Sequence, residues 1–507
     1  MRSLTILFSL LAMPWLASCD FGGGGSSLED QTLVRGNGGE PGTLDPLLAD
    51  DIHAFNVLVD MYEGLVAESA NGELIPGVAK GWSISEDGRT YTFELRTDAR
   101  WSNGDRVVAQ DFVRSLELAT APDTMAPYAF LFHGVETDVV AESDHELEIR
   151  LSRRWSELPF ILSMPIAFPV HPSGDRTIGN GAYKLVSRSP GGQILLQKNE
   201  HYWDAERVSV GSVAYLPTSD SVAEFNMYRS GELDITHNIP SEMVQSAVAR
   251  HGNEARLAPS LALYYIAFDL TEPPFDDPLL REALSLAIVR EEITSLLGRG
   301  ERPAYGIVPP GVAGYTGATY EWRNASEDSR ITRARELYSD AGFTPDSPLR
   351  IRYLYDAGDV HERIALALSA MWHDALGVEV SLEKREWKYF LDSRDLRDDW
   401  DVMRFAWFGD YNSPRTFLDI FGSVNDQNLS GYASESYDDL LLQASRADPA
   451  ASFAAMRRAE AHLLADNPVI PVYFFVSKHM VKPHVLGFED NVTDRHPTRF
   501  LAISERR

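Results

Sequence analysis

Arg404, Trp407 and Asp410 share the stretch Arg404-Phe405-Ala406-Trp407-Phe408-Gly409-Asp410-Tyr411-Asn412-Ser413-Pro414. A carboxylate pairs with an ammonium, a guanidinium forks onto a carboxylate, and flat aromatic rings give contact area that tolerates different side chains. These residue types together suit a zwitterionic ligand with a variable middle. A purely structural assignment stands beside that one. In it Arg404 and Asp410 pair with each other or with neighbours, Trp407 is core, and Asp410 to Pro414 is a turn.

Residues for catalysis are harder to find. The sequence has no G-x-S-x-G elbow, no H-E-x-x-H and no Walker loop. The 13 histidines show no close metal-ligand spacing, and His53, His133, His145 and His171 read as surface or single-partner residues. Gly36-Asn37-Gly38-Gly39 and Gly179-Asn180-Gly181 lack dinucleotide spacing and read as turns. A hydrolase using two of the 75 acidic residues stays open as an alternative, and the expectation is a protein without enzymatic activity, cofactor or metal.

The elements that must position the 404–414 stretch follow from periodicity. Leu349, Ile351, Tyr353 and Tyr355 alternate as a strand, and Ile364, Leu368, Met371, Trp372 and Leu376 fall at helical spacing. After Gly377, Val378, Val380 and Leu382 alternate again, so the spacing predicts a strand–helix–strand unit with parallel strands. A shorter helix begins near Trp387, and Val402 to Phe408 forms a third strand running into Gly409-Asp410. Ligands of open α/β sheets collect beyond the carboxyl ends of strands, which is where this pattern puts Asp410. Upstream, Asp277 caps a helix with Pro278 at its first position, striped by Leu280, Leu284, Ala287 and Ile288 and stopped by Gly298. Residues 31–270 carry mostly strand signals, among them Tyr91-Phe93-Leu95, Leu147-Ile149-Leu151 and Gln193 to Gln197.

With 507 residues, 44% of them hydrophobic and 10% aromatic, the chain is a globular protein of several domains. Its net charge of −29 excludes a nucleic-acid backbone as partner, since that needs a basic footprint. The single cysteine, Cys19, rules out intramolecular disulfides and thiolate clusters. Met1-Arg2 and the apolar run Leu4 to Leu16 read as a signal peptide over residues 1–18, and Leu16-Ala17-Ser18-Cys19 matches a lipobox whose cysteine is lipidated after cleavage. Asp20 then suggests retention at the inner membrane if the host is Gram-negative. Residues 19–30, with Gly22 to Ser27, form a flexible tether.

Several phrases, in order, resemble the extracytoplasmic solute-binding proteins of the oligopeptide/dipeptide/nickel class, the receptors of ABC importers. They are Asn37-Gly38-Gly39-Glu40-Pro41-Gly42-Thr43-Leu44-Asp45-Pro46, Tyr62-Glu63-Gly64-Leu65, Glu86-Asp87-Gly88 and Trp101-Ser102-Asn103-Gly104-Asp105. Gly181-Ala182-Tyr183-Lys184-Leu185, Tyr202-Trp203-Asp204 and Pro273-Pro274-Phe275-Asp276-Asp277 continue the likeness, and Gly409-Asp410-Tyr411-Asn412 resembles the oligopeptide branch.

The resemblance implies an α/β, two-lobed periplasmic-binding-protein fold with an additional domain and a ligand cleft between lobes. One lobe is expected from 31–52, 182–270 and 485–507, the added domain from 53–181 and the second lobe from 271–484. An extended peptide is expected between the lobes, bonded as an added strand. Carried over by position, Asp410 holds its α-ammonium. Trp407 and Phe408 line the adjacent wall, where Phe408 departs from the small residue of the best-known oligopeptide receptor. Arg404 and Arg394, with Trp387 opening the same stretch, resemble residues that receive ligand carboxylates, and Glu40 and Tyr128 resemble cleft residues of the other parts. The implied partners are a peptide and import permease subunits, with a lipid-anchored monomer on the extracytoplasmic side. A murein peptide, nickel chelate, oligosaccharide or opine is the alternative cargo.

Overall fold

The computed structural model describes residues 32–505 apart from 134, 136, 313, 345 and 397–399. The expected signal peptide, Cys19, Asp20 and the tether lie outside the described residues. No helix of the described residues is long and apolar enough to cross a membrane.

The chain begins with β1 (Thr32–Gly36) and the hairpin β2 (Val66–Glu68) and β3 (Leu74–Pro76). Next come β4 (Ala79–Ile84), β5 (Thr90–Leu95), β6 (Thr137–Ser143) and β7 (Glu146–Leu151), an antiparallel sheet in the order β4-β5-β7-β6. β8 (Tyr183–Arg188), β9 (Ile194–Lys198) and β10 (Ser212–Leu216) join β1 in a second sheet, β1-β10-β9-β8. The alternation of strand residues buries one side of each sheet. Tyr91, Phe93, Leu147 and Ile149 from the first meet Tyr183, Ile194, Leu196, Val213 and Tyr215 from the second in one continuous hydrophobic cluster. These two sheets with their helices make the first body.

The second body is built on six strands, β12-β16-β11-β15-β13-β14, namely β11 (Ala255–Phe268), β12 (Arg302–Pro303), β13 (Arg350–Asp356), β14 (Glu379–Arg385), β15 (Val402–Phe408) and β16 (Val469–Met480). The expected strand–helix–strand unit is present: β13 and β14 are parallel and joined by the helix Asp359–Leu376, which ends at Gly377 in the left-handed conformation. Alternate residues of β11 sort to opposite faces. Tyr264, Ile266 and Phe268 pack with Leu280, Leu284, Ile364, Leu368 and Trp372, while Leu263, Tyr265 and Ala267 pack with Phe417, Tyr437, Leu441, Met456 and Leu463. Helices therefore cover both faces and leave the sheet's ends and unpaired strand edges for ligands. The whole is a two-lobed α/β fold with an additional domain.

β11 starts ahead of the break expected at 271, yet its Ala262–Phe268 pairs with β15 throughout. Its lower half and that of β16 run beside the first body, where Thr236 and Ile239 donate to the carbonyls of Met480 and Lys478. Their mutual pairing is irregular between Pro259 and Leu263. A third crossing comes from the C-terminal segment, in which the Val492 carbonyl accepts from Leu261 N–H at 2.9 Å. That segment ends in the first body, where β17 (Val485–Leu486) pairs with β18 (Ala502–Ile503).

The helix expected from Asp277 to Gly298 is two helices, Pro278–Leu286 and Arg290–Leu297, with the Asp277 cap and the Gly298 stop in place. Arg290 explains the break. Its fully buried guanidinium donates to the carbonyls of Ser285 (3.1 Å) and Pro471 (2.8 Å), so the first carbonyl is bonded to this side chain at the point where the first helix ends.

Candidate functional site: a carboxylate in the cleft between the bodies

β15 leaves the core as buried Val402 and Met403 and becomes progressively exposed toward Phe408. β13 pairs with it only at Val402 and Met403, whereas β11 follows it to Phe408. Among the described residues, then, the backbone beyond Met403 has no strand on its β13 side. Unpaired sheet edge of this kind accepts an extended chain.

Gly409 makes the turn that follows. A Cβ there would lie 2.8 Å from Thr416 Cγ2 and 2.9 Å from the Phe417 ring, so only glycine lets the chain pass this close. Its N–H donates to Leu261 at 2.7 Å, the Ser413 N–H donates to the Tyr411 carbonyl at 2.8 Å, and the helical turn Arg415–Leu418 follows. Asp410 is thereby set in the wall of a cleft of about 1570 Å³, lined by Phe130, Arg153 and Arg154 of the first body and by Trp407, Asp410 and Tyr411 of the second.

The Asp410 carboxylate accepts no hydrogen bond from the described residues. Burial lifts its pKa above the ordinary aspartate value, and Arg495 pulls in the other direction. Tyr128 faces it from the first body: burial, then the negative charge of Asp410, raises the Tyr128 hydroxyl. An acid raised by burial and offered no donor is suited to a cation arriving from outside.

The remaining sequence candidates are placed differently. Trp407 shares the opening with Asp410, and its indole N–H is buried without an acceptor among the described residues. Phe408 is 61% exposed and leans on Phe475, ring centres 5.1 Å apart. Arg404, buried, is ion-paired with Asp356 at the end of β13, beneath the rings of Phe390 (5.0 Å) and Trp387 (5.7 Å). Trp387 is half-exposed and stacked on Phe390, and Arg394 lies over Phe405 at 6.0 Å. Glu40 is held in the first body by Arg188 (3.1 Å) and the Gly191 N–H (3.2 Å), pinning the β8–β9 turn. The structure thus brings Asp410, Trp407 and Tyr128 together, gathers Arg404 with Trp387, and keeps Glu40 in contacts of its own.

Four further residues belong to this region. Asp356 and His361 join Arg404, with His361 lowered to about 4 by burial and then by the Arg404 charge. Arg495 and Glu68 form an ion pair at 2.7 Å behind Asp410. Position at the end of a predicted strand was a signal for Asp356, and nothing local marked the other three.

His479, Asp494 and His496 are a group whose spacing could hold a metal, which sequence spacing does not reveal. Here the Asp494 carboxylate accepts from both rings, at 2.7 and 3.2 Å, and the other nitrogen of His479 donates to the Thr236 carbonyl. Those are hydrogen-bond separations, closer for His479 than the roughly 3.3 Å between ligands of tetrahedral zinc.

Residues 73–428 match the family model described as bacterial extracellular solute-binding proteins, family 5 Middle. The chain is 36% identical over 513 residues to the periplasmic oligopeptide-binding protein OppA of Salmonella typhimurium, covering 95% of this chain and 94% of that one. It is 34% identical to the periplasmic murein peptide-binding protein MppA of Escherichia coli, covering 91% of each. Among solved structures, the unliganded open form of MppA superposes with a TM-score of 0.87 at 34% identity, over 94% of this chain and 98% of that one. Haemophilus influenzae OppA in complex with RPPGFSPFR gives 0.73 at 30% identity, over 94% and 99%.

Proposed function

We propose that this chain, which belongs to the family 5 bacterial extracellular solute-binding proteins, is an extracytoplasmic receptor that binds oligopeptides and delivers them to an ABC import permease. The observation that carries this reading is Asp410: a half-buried carboxylate with no donor among the described residues, two residues past a strand whose edge is open among them, in the cleft between two bodies. A peptide laid along Arg404–Phe408 extends the sheet through its backbone, which gives affinity without regard to sequence, while its α-ammonium meets Asp410. Trp407 and Phe408 supply apolar surface to its side chains. Arg404 and Arg394 receive its carboxylates, Arg404 by exchanging Asp356 for the ligand. Nothing in this scheme calls for catalysis.

The test is calorimetric titration with a free tripeptide and its N-acetylated form. Acetylation removes the charge that meets Asp410 and is expected to weaken binding by about tenfold to a hundredfold, the worth of one charged hydrogen bond. Equal affinity for the two, or an Asp410→Ala protein with unchanged affinity, refutes the reading. Cleavage of the peptide by the purified protein would instead favour the hydrolase.

The Cys19 lipobox supports an anchor on the outer face of the cell membrane, with the receptor acting as a monomer. Labelling with a radioactive fatty acid, absent from a Cys19→Ser chain, checks the anchor.

A further inference from the structure

We propose that Arg495 is a positioning residue for the ammonium site, fastening the Asp410 turn of the second body to Glu68 of the first. The role rests on the peptide reading of Asp410. Arg495 Nη2 donates to the backbone carbonyl of Asp410 at 3.3 Å, and its Nη1 binds Glu68 Oε1 at 2.7 Å. Both partners of that ion pair are nearly buried, with 12% and 7% of their side chains exposed. The Thr493 hydroxyl lies 3.2 Å from Glu68 Oε2 and 2.8 Å from Asn491 Oδ1, so its one proton is shared between the two acceptors.

The same junction is stitched at two more points. Asn412, in the Asp410 turn, donates to the Gly72 carbonyl at 3.1 Å, and Asn491 donates to the Ala70 carbonyl at 3.1 Å. The turn of the β2–β3 hairpin is therefore gripped from the second body by Asn412 and from the C-terminal segment by Asn491, Thr493 and Arg495. That segment is also one of the three crossings between the bodies, through Val492 and Leu261. Asp410 consequently sits beside the axis of opening, where a hinge displaces its neighbours least, and its ammonium site stays assembled while the cleft stands open.

Arg495 also sets the charge at the site. It opposes the burial that raises Asp410; the phenols of Tyr128 and Tyr411 lie beside that carboxylate, and His133, Arg153, Arg154, Arg415 and Asp419 line the same cleft. Behind Tyr411 lie Glu157, Asp419 and Arg415, and behind Tyr128 lies Asp50. A lone guanidinium here would repel the ligand's ammonium. Pairing with Glu68 cancels most of that repulsion while leaving the donor that orients the turn.

The experiment measures the affinity of wild type, Arg495→Gln, Arg495→Lys and Glu68→Gln for a free and an N-acetylated tripeptide from pH 4 to pH 8, with circular dichroism to confirm folding. Affinity for the free peptide falls on acidification as Asp410 takes a proton, and the midpoint of that fall is the readout. Arg495→Gln is expected to lose about tenfold or more in affinity and to move the midpoint to higher pH. Arg495→Lys restores the midpoint without the full affinity, since it keeps the charge and loses the fork. Glu68→Gln weakens binding while moving the midpoint down. If wild type discriminates between the two peptides and Arg495→Gln keeps both its affinity and its midpoint, the role of Arg495 is overturned and the ammonium reading stands. If wild type binds both peptides equally, the ammonium site falls and this role falls with it.

Discussion

Arg404 and Asp356 meet as a buried ion pair across β15 and β13, so the guanidinium that a ligand carboxylate would reach is already occupied. Removing one partner of such a pair leaves an uncompensated buried charge. Arg404→Met is expected to destabilise the protein by about 3–5 kcal/mol, read by denaturant unfolding, while Asp356→Asn is milder because the amide still accepts from Arg404. Asp356→Asn should also tighten binding of peptides with a free carboxyl terminus and leave their amidated forms unchanged. A loss of affinity for both forms would argue that Asp356 contacts the ligand itself.

Gly409 predicts a second outcome. Its missing side chain is what lets the turn pass Thr416 and Phe417, whose atoms are packed and cannot withdraw freely. Gly409→Ala is expected to cost about 1–3 kcal/mol as overpacking and to lower peptide affinity by displacing Asp410. Normal affinity together with a normal melting temperature would mean that the turn tolerates a shift.

Acid sensitivity should trace to His237. Burial, then the charges of His479 and His53, lowers it to about 4 in the folded chain, against about 6.5 when unfolded. Between those values the unfolded chain binds a proton that the folded chain refuses, so stability is fully present above about pH 6.5 and is lost as pH falls through about 4. His479 acts in the opposite sense: it is raised, against the effect of its burial, by Asp494, and its contribution is lost as pH rises through its folded pKa. His237→Asn should flatten the stability profile between pH 6.5 and 4 by up to about 1.4 kcal/mol per pH unit. An unchanged slope in chemical denaturation across that range would exclude His237 as the source.

How far the sequence reached depends on the distance over which each feature is written. β13, the helix after it, β14 and β15 were legible because each is a local change of period, and Asp410 was legible because it follows β15 directly. Arg404 stands in the same legible stretch, while its partner Asp356 lies 48 residues away and no local pattern joins them. Arg495 is 85 residues from Asp410 and 427 from Glu68, so no local pattern marks its place, which the return of the C-terminal segment between the bodies sets. The broken helix failed for another reason. The apolar stripe through Ala287 and Ile288 is genuine, with both residues buried, but a stripe says nothing about a buried arginine that draws carbonyls to itself.

The two sheets of the first body share a single hydrophobic cluster, to which Phe488, Leu501 and Ile503 of the chain's end also contribute, while the second body keeps clusters of its own. Cooperativity follows shared cores rather than counts of sheets. A calorimetric scan should accordingly resolve two melting units and not three, with the added domain inseparable from the lobe it leans on. A peptide in contact with both bodies would stabilise each against melting alone, so saturating ligand should draw the two endotherms together into one.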